Sequence, residues 1–321
     1  MNRYKLGLTL LLAALFLSLP LWAPLFTVQL VTRGLYLGIL AMTFILLQGY
    51  ANLLSLAQMS FAAMAGYVIA VGTVKLGMSH AILAPLAIVG AVALAAVFGL
   101  IAIRGERIYF LMMTLALGQL FYGIGMENIS IMGGQYGYTG LTRPVFFGIS
   151  FGSTSPLYYL TLIATILSYL ALKRLVSSPF GLVLQGIRDN PRRMAGLGFN
   201  VQLHRYLVIV ISGAFAGIAG VLTTYFTGVI SPSRAGLSQS VMVVMAALVG
   251  GGAVLEGGLL GGLIIVFLIT IINRLTQRYW TIIGALFILV VLFLPNGLLS
   301  NDVRLREWIQ KARGRTRQPE H

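Results

Sequence analysis

The stretch KRLVSSPFGLVLQGIRDNPRRMAGLGFNVQLHR, from Lys173 to Arg205, is the one long polar interruption in the C-terminal two thirds of an otherwise apolar chain. It contains a single acid, Asp189, and six basic residues, which are Lys173, Arg174, Arg188, Arg192, Arg193 and Arg205. Apolar runs long enough to cross a membrane precede and follow it. The sequence therefore predicts a basic loop that leaves the lipid between two blocks of membrane spans.

The middle of this stretch, residues 188–198, predicts one short helix. Asn190 is a favourable N-cap, Pro191 suits the first helical position because an N–H there would have no partner, and Gly198 is a typical stop signal. A short basic helix outside the lipid is suited to contacting another protein.

The composition excludes an ordinary soluble domain. Of the 321 residues, 58% are hydrophobic and only 9% are charged, whereas charged residues make up about a quarter of a typical soluble domain. The net charge of +15 does not indicate nucleic-acid binding, because the basic residues lie at the ends of apolar runs, where they orient membrane proteins. The chain has no cysteine, which excludes disulfides and thiolate metal sites.

Ten apolar runs have about the length that crosses the hydrocarbon core of a membrane. The first carries Arg3 and Lys5 ahead of its leucines, as a secretory signal does, but no small-x-small cleavage site follows, so we interpret it as a retained span. The eighth and ninth are short, and a re-entrant hairpin over residues 239–273 is an alternative. The runs cover residues 6–26, 30–48, 53–74, 81–103, 108–126, 156–175, 206–228, 239–254, 258–273 and 279–299.

The 22 basic residues predict the orientation of these spans. With ten spans and a cytoplasmic N-terminus, 16 basic residues lie inside and 6 outside, in agreement with the positive-inside rule. The Gly-rich segment 127–155 is then an ordered external loop. We predict an all-α integral membrane protein, a polytopic bundle of about ten transmembrane helices over residues 1–300, with a basic cytoplasmic tail over residues 301–321.

Several uncharged polar residues lie within or beside the apolar runs. Unsatisfied polar groups in lipid cost several kcal/mol, of order 2 or more, so such side chains face protein or a watery cavity. Two interpretations stay open, namely hydrogen bonds between helices and the lining of a translocation path. The candidates are Gln48, Asn52, Ser55, Gln58, Ser60 and Gln119.

The chain contains no recognisable energy source or catalytic centre. All seven acidic residues lie at span ends, in loops or in the tail, whereas carriers driven by protons or sodium commonly place carboxylates at the membrane midplane. No lysine is followed by Ser or Thr, so no phosphate-binding P-loop exists and a separate subunit must bind ATP if ATP drives transport. His80, His204 and His321 are scattered, and we interpret His204 as a solvated loop residue. We predict that the protein is not an enzyme.

Four groups of motifs, in order along the chain, resemble the M-type (LivM-like) permease subunits of ABC importers for branched-chain amino acids. Each motif alone is weak, but the four in the right order are a strong signal over about residues 30–299. The groups are Leu54 to Gln58 with Phe61, Gly66 and Tyr67; Ile108 to Phe110 with Thr114 to Gly118; Gly133, Gly134, Gly137, Gly140 and Leu141; and Pro179 to Gly181 with Gly186 to Asn190, Ala195 to Gly198 and Ser212 to Gly220.

This resemblance implies a multi-subunit importer in the bacterial inner membrane. Its other parts are a second, H-type permease, two cytoplasmic ATPase subunits that use ATP and Mg, and a periplasmic solute-binding protein; this chain itself binds no cofactor. Leu182 and Pro191 depart from the Arg and Glu that the family often has there, which bears on how the ATPase pairs. The implied ATPase-coupling residues are Arg188, Asp189, Asn190, Pro191, Arg192, Arg193, Ala195, Leu197 and Gly198.

The substrate stays open at this level. The resemblance implies branched-chain or other hydrophobic amino acids, but it extends to importers of urea, short amides and aromatic compounds, and selectivity is expected to rest largely with the binding protein. A stand-alone channel or facilitator is the alternative from another class, because it shares the apolar spans and the shortage of acids.

Overall fold

The computed structural model describes residues 16–105, 108–141, 143–146, 149–151, 153–275, 278–293 and 297. Residues 6–15 of the first predicted span and the whole predicted tail, 301–321, lie outside them. The helices are α1 (Leu25–Ile45), α2 (Gln58–Val74), α3 (His80–Ala102), α4 (Ile108–Glu127), α5 (Ile129–Met132), α6 (Thr154–Val176), α7 (Pro179–Asp189), α8 (Pro191–Gly196), α9 (Val201–Thr227), α10 (Leu237–Gly250), α11 (Leu255–Leu275) and α12 (Tyr279–Phe293).

The remaining regular structure is short. Residues 16–22 are helical, and a π-helical turn, Leu46–Tyr50, continues α1 without a break. Two 3₁₀ turns (Gly134–Tyr136 and Pro232–Ala235) and an antiparallel pair of two-residue strands, β1 (Val145–Phe146) and β2 (Ile149–Ser150), lie between helices.

Six of the described helices are long and apolar enough to cross a membrane. The shorter apolar helices α2 and α10 pack among them. This confirms a multi-pass helical protein, although the six fall short of the ten spans that the sequence predicts. The six are Leu25–Tyr50, His80–Ala102, Ile108–Glu127, Thr154–Val176, Val201–Thr227 and Leu255–Arg274.

The helix formed by α1 and the π turn is the centre of the bundle. In the most apolar stretch of this helix, 89% of the residues are buried. The corresponding share is 28% in α3 and 28% in α4. These peripheral helices expose large apolar side chains such as Ile82, Val89 and Leu100. A helix that is apolar on all sides is stable only in a core or in lipid, so the exposed faces of α3 and α4 suit contact with lipid or with another membrane helix.

Small residues allow close approach at two of the helix crossings. Gly220 of α9 packs so closely on α2 that an added methyl group would overlap the Ala62 carbonyl oxygen. At the crossing of α1 and α11, a methyl group on Gly262 would lie 2.5 Å from the Gly38 backbone nitrogen. Close backbone approach replaces the hydrophobic driving force that is missing between helices in lipid.

The predicted third span, 53–74, is wrong at its start, because α2 begins only at Gln58 and residues 52–57 are not helical. Asn52 has φ 56°, and it is the only described non-glycine residue with a positive φ. The backbone is satisfied in other ways: Leu53 N–H donates to the Leu47 carbonyl (3.0 Å), and Leu56 N–H donates to Thr114 Oγ1 (3.3 Å). Irregular backbone at membrane depth is tolerated where protein buries it, which an apolar run by itself does not reveal.

Sequence-distant segments meet at two opposite ends of the bundle. At one end the segment after α4 reaches the segment after α9, where Tyr138 and Ile230 form a backbone bridge. At the other end the 173–205 loop meets the π turn and the start of α11. Within the predicted external segment 127–155, the described residues include α5, a 3₁₀ turn and the strands β1 and β2.

Helix α11 runs the full thickness of the bundle. At one end Glu256 bonds Lys173 of α6, and at the other Arg274 lies 4.4 Å from the centroid of the Phe26 ring. Helix α10 has 14 residues, which is about 21 Å of helix and less than the roughly 30 Å of a hydrocarbon core.

Candidate coupling site and translocation path

The short helix predicted in the basic loop is present as α8. The Asn190 side chain accepts a hydrogen bond from the Arg193 N–H (2.9 Å), Pro191 occupies the first turn, and Gly198, with φ 89°, follows the end of the helix. One part of the prediction is wrong, because Arg188 and Asp189 belong to the last turn of α7. A residue that precedes proline is driven out of the helical region, and Asn190 accordingly has φ −154° and ψ 95°.

Helix α7 anchors the loop to the bundle. Ser178 caps its N-terminus, and Leu184 and Ile187 on one face are buried. Gly181 is required at the turn from α6, since a methyl group there would overlap the Val176 carbonyl oxygen. Leu182, on the opposite face, is 64% exposed.

Helix α8 projects from this anchor. Met194 is its inward-facing residue, and it packs against α7 at Gly186, where an added methyl group would lie 2.7 Å from its sulfur. Arg192, Arg193 and Ala195 are exposed, and Leu197 just after the helix is 66% exposed. The loop thus presents a surface of two cations and an apolar side chain, which we call the α8 knob.

Arg188 connects the loop to the π turn at the end of α1. Its Nη1 donates to the Gly49 carbonyl in the π turn (2.7 Å), and its Nε donates to Asp189 Oδ1 (3.0 Å). π-Helical turns within α-helices are frequent at functional sites, and here the turn frees a carbonyl for an external donor. Sequence reasoning missed this contact, because nothing in the local pattern indicates that residues 49 and 188 meet.

A second group of polar contacts ties α6 to α11 beside this point. Tyr169 Oη donates to Glu256 Oε1 (2.5 Å), and Lys173 Nζ donates to Tyr169 Oη (2.6 Å) and lies 3.1 Å from Glu256 Oε1. The Lys173 and Glu256 side chains are about half exposed, so the ion pair contributes about 1 kcal/mol or less. Its effect is to hold the ends of two helices together where the loop begins.

Four of the predicted path residues lie around the break between α1 and α2. Gln58 is 2% exposed and its Oε1 accepts a hydrogen bond from Thr43 Oγ1 (3.2 Å). Ser55 Oγ accepts from the Ala57 N–H (3.3 Å), and Ser60 is fully buried on the side of α4. Asn52 contributes its left-handed backbone to the break. Thr43 and Thr114 belong to this group but were missed, because hydroxyls in apolar runs commonly bond their own helix.

Part of this group lacks hydrogen-bond partners among the described residues. Gln58 Nε2, Ser60 Oγ and Gln48 Oε1 are buried without one. Buried polar atoms are usually hydrogen-bonded, so these three atoms mark the break as a site where water or another polar group would be accommodated. Gln119 is half-buried on α4, and no described contact joins it to the group.

A separate cavity of about 70 Å³ lies between α1, α2, α9 and α10. None of the six predicted path residues lines it. Its polar lining residues, which sequence reasoning missed, are Tyr36, Thr223, Thr224, Arg234 and Gln239. These residues lie on four different segments, so no local pattern groups them.

Two further expectations concern histidine and metal. The interpretation of His204 as a solvated loop residue is wrong, because it lies in α9 and stacks on the Phe180 ring, with centroids 5.6 Å apart. Within the described part of the chain, no group of three or more His, Asp or Glu residues could hold a metal ion.

The long apolar helices and the projecting polar loop define a multi-pass membrane protein. The family described as "Branched-chain amino acid transport system / permease component" matches residues 26–294, and the chain belongs to this family. It is thus a permease subunit of the ABC importer class, as the motifs predicted.

Individual relatives agree with this assignment. The chain is 24% identical, over 92% of its length and 75% of the relative's, to the high-affinity branched-chain amino acid transport system permease protein LivM of Escherichia coli K12. It is 33% identical to the LivH permease of the same strain over 43% of this chain and 46% of LivH. It is also 32% identical to the nucleoside ABC transporter permease protein NupC of Lactococcus lactis over 35% of this chain and 36% of NupC. No solved structure matches the chain.

Proposed function

We propose that this chain moves its substrate in response to ATP hydrolysis in separate cytoplasmic subunits, which would hold the ATP and Mg. The observation that carries this proposal is the hydrogen bond from Arg188 to the Gly49 carbonyl. It connects the loop behind the α8 knob to the break that holds Gln58 and Ser60. Movement of the loop would therefore be transmitted to the polar break through this hydrogen bond and the π turn.

The proposed assembly has two permease subunits, this one and an H-type partner, with two ATPases and a periplasmic solute-binding protein. The similarity to both LivM and LivH supports a pair of related permeases. The exposed Arg192, Arg193 and Leu197 suit a groove with acidic and apolar walls on the ATPase. We take residues 188–193, 195, 197 and 198 as the coupling surface, although Arg188 and Asp189 act from α7.

The proposed orientation places the loop and both termini in the cytoplasm, with ten spans in the inner membrane. The meeting of Gly49, Lys173, Arg188 and Glu256 at one end of the bundle supports it, because the sequence count puts all four on the inner side. Under this proposal residues 239–273 form two crossings, and the end-to-end course of α11 supports this over a re-entrant hairpin.

The proposed substrates are branched-chain or other hydrophobic amino acids. The family description and the LivM and LivH relatives support them, while the nucleoside permease among the relatives keeps other small solutes as alternatives. Urea, short amides and aromatic compounds belong to the same alternative set.

The test is reconstitution in proteoliposomes with and without the ATPases encoded near the gene. We expect uptake of radiolabelled leucine delivered by the binding protein only when ATP is present on the loop side. Flux through the isolated chain down a gradient, at a rate that ATP does not change, would contradict this proposal and favour a channel.

A further inference from the structure

Two cavities lie side by side at the end of the bundle opposite the α8 knob. The first, of about 70 Å³, is lined by Val229 and Ile230 next to the Tyr138 bridge, and the second has a volume of about 240 Å³. They share the side chains Tyr36, Leu37, Gln239 and Met242 as a common wall. We call the two cavities and their shared wall the chamber.

The chamber carries positive charge and no described negative charge. Arg234 lines the first cavity, Arg33 lines the second, and no Asp or Glu is among the lining residues of either. Both guanidinium groups interact electrostatically with the Tyr36 hydroxyl, and Arg234 also forms a hydrogen bond with it through one of its several N–H groups. Arg33 is an exposed residue of the membrane-length helix Leu25–Tyr50, and ionisable residues within such helices often mark ligand or ion paths.

The contacts of these arginines leave hydrogen-bond donors available. The Arg33 guanidinium lies 5.5 Å from the centroid of the Phe226 ring, a contact that uses its flat face. The N–H groups of a guanidinium lie in its plane, where they match the two oxygens of a carboxylate. Neither arginine has a carboxylate within ion-pair distance among the described residues.

The rest of the lining suits a small apolar body with polar groups at one side. Leu37, Leu40, Met59 and Met242 supply hydrocarbon. Ligand pockets typically combine a mainly apolar wall with a few placed polar groups that orient the ligand. Arg33 and Arg234 would supply that orientation here.

We propose that this chamber binds a small carboxylate with an apolar body, whose carboxylate is held by Arg33 and Arg234 and whose body lies against Leu37 and Met242. The proposal rests on the proposed transport function and narrows its substrate class. Urea, neutral amides and amines without a carboxylate lack the group that the two arginines recognise.

The experiment uses the absence of native cysteine. Thr223→Cys places one thiol on the chamber wall, and its maleimide labelling rate is measured in the assembled transporter in nanodiscs. We expect millimolar 4-methylpentanoate to slow labelling about threefold, as two-thirds occupancy would, and isoamylamine to have no effect. Gln239→Cys is a second reporter with the same expected result.

Matched variants connect the protection to the arginines. Adding Arg234→Gln or Arg33→Gln should abolish protection, while Lys75→Gln, a cation at the same end that lines neither cavity, should preserve it. No protection, equal protection by the amine, or protection that survives both arginine variants would overturn the proposal. Protection by short-chain phosphatidylglycerol but not by the carboxylate would make the site a lipid site and would also overturn it.

ATP-dependent uptake by the parent transporter is measured in the same nanodisc preparation after transfer to liposomes. If the carboxylate fails to protect the thiol from labelling while uptake is intact, the proposed carboxylate site is overturned and the proposed transport function stands. Absent uptake would instead contradict the proposed function.

Discussion

Arg188 is the residue that links the basic loop to the π turn, which precedes the polar break. Its guanidinium bonds both Gly49 and Asp189, so its position depends on a backbone carbonyl and on a neighbouring acid. A hydrogen bond from a charged group contributes about 1.5–3 kcal/mol in a buried setting, and less here because the side chain is 41% exposed. We therefore expect Arg188 to act mainly by positioning the loop against the π turn, with a small contribution to the free energy of unfolding.

Replacing Arg188 with Gln should uncouple the transporter and leave it folded. We expect ATP-driven uptake to fall about tenfold, which corresponds to roughly 1.4 kcal/mol of lost coupling, while the ATPase rate of the complex stays near the parent value. Uptake and phosphate release are measured on the same proteoliposomes. Arg174→Gln, an exposed basic residue at the start of the same loop, is the control, and an equal loss in both variants would argue for a general charge effect.

Gln58→Leu tests whether the polar break serves transport or packing. Thr43 keeps its bond to the Leu40 carbonyl after the change, so the expected cost in stability is about 1 kcal/mol or less. Transport should nevertheless change severalfold, because Gln58 Nε2 has no hydrogen-bond partner among the described residues and can bind a passing polar group. Thr43→Val removes the same Thr43–Gln58 bond from the other side; parallel losses of folded protein in both variants would favour the packing interpretation.

At the scale of elements, α8 and the crossing of α2 with α9 have opposite requirements. The α8 knob is exposed and needs a surface that matches a partner. The crossing is buried and needs glycine, because the two backbones touch. These two elements separate coupling from folding in mutational experiments.

Leu197→Glu should lower ATP-driven uptake at least about tenfold, since a buried unpaired charge at a protein interface costs several kcal/mol. Leu197 is the better target than Gly198, where a positive φ would add strain. Co-purification of the ATPase and membrane insertion are both measured, and insertion should be unchanged. Leu197→Met should retain uptake; normal uptake in Leu197→Glu would count against the knob as the docking surface.

Gly220→Ala should lower stability, because the added methyl group would overlap the Ala62 carbonyl oxygen. Overpacking of this kind typically costs about 1–3 kcal/mol. The matched control is Gly123→Ala in α4, which has open space around it and should raise helix stability by up to about 1 kcal/mol. The melting temperatures of the purified proteins are compared, and a similar shift in both would contradict tight packing at α2 and α9.

At the scale of the whole molecule, the two ends of the bundle make the orientation testable. Leu197 lies at one end and Tyr136, which is 85% exposed, lies at the other. Because the chain has no native cysteine, Leu197→Cys and Tyr136→Cys each provide a single reporter. In intact cells stripped of their outer membrane, an impermeant maleimide should label only the Tyr136→Cys protein. External labelling at residue 197 would rule out access of cytoplasmic ATPases to the knob.

The sequence alone determined the membrane class, the family, most helix bounds and the capped helix at Pro191, because hydropathy, capping and motif order are local properties. Tertiary structure decided the rest. The break before Gln58 depends on the hydrogen bond that the Leu56 N–H donates to Thr114 of another helix. The link from Arg188 depends on the Gly49 carbonyl in the π turn. The chamber residues Tyr36, Arg33 and Arg234 come from separate segments. Such sites depend on which backbones approach, and that choice is made by packing of the whole bundle, which no single segment encodes.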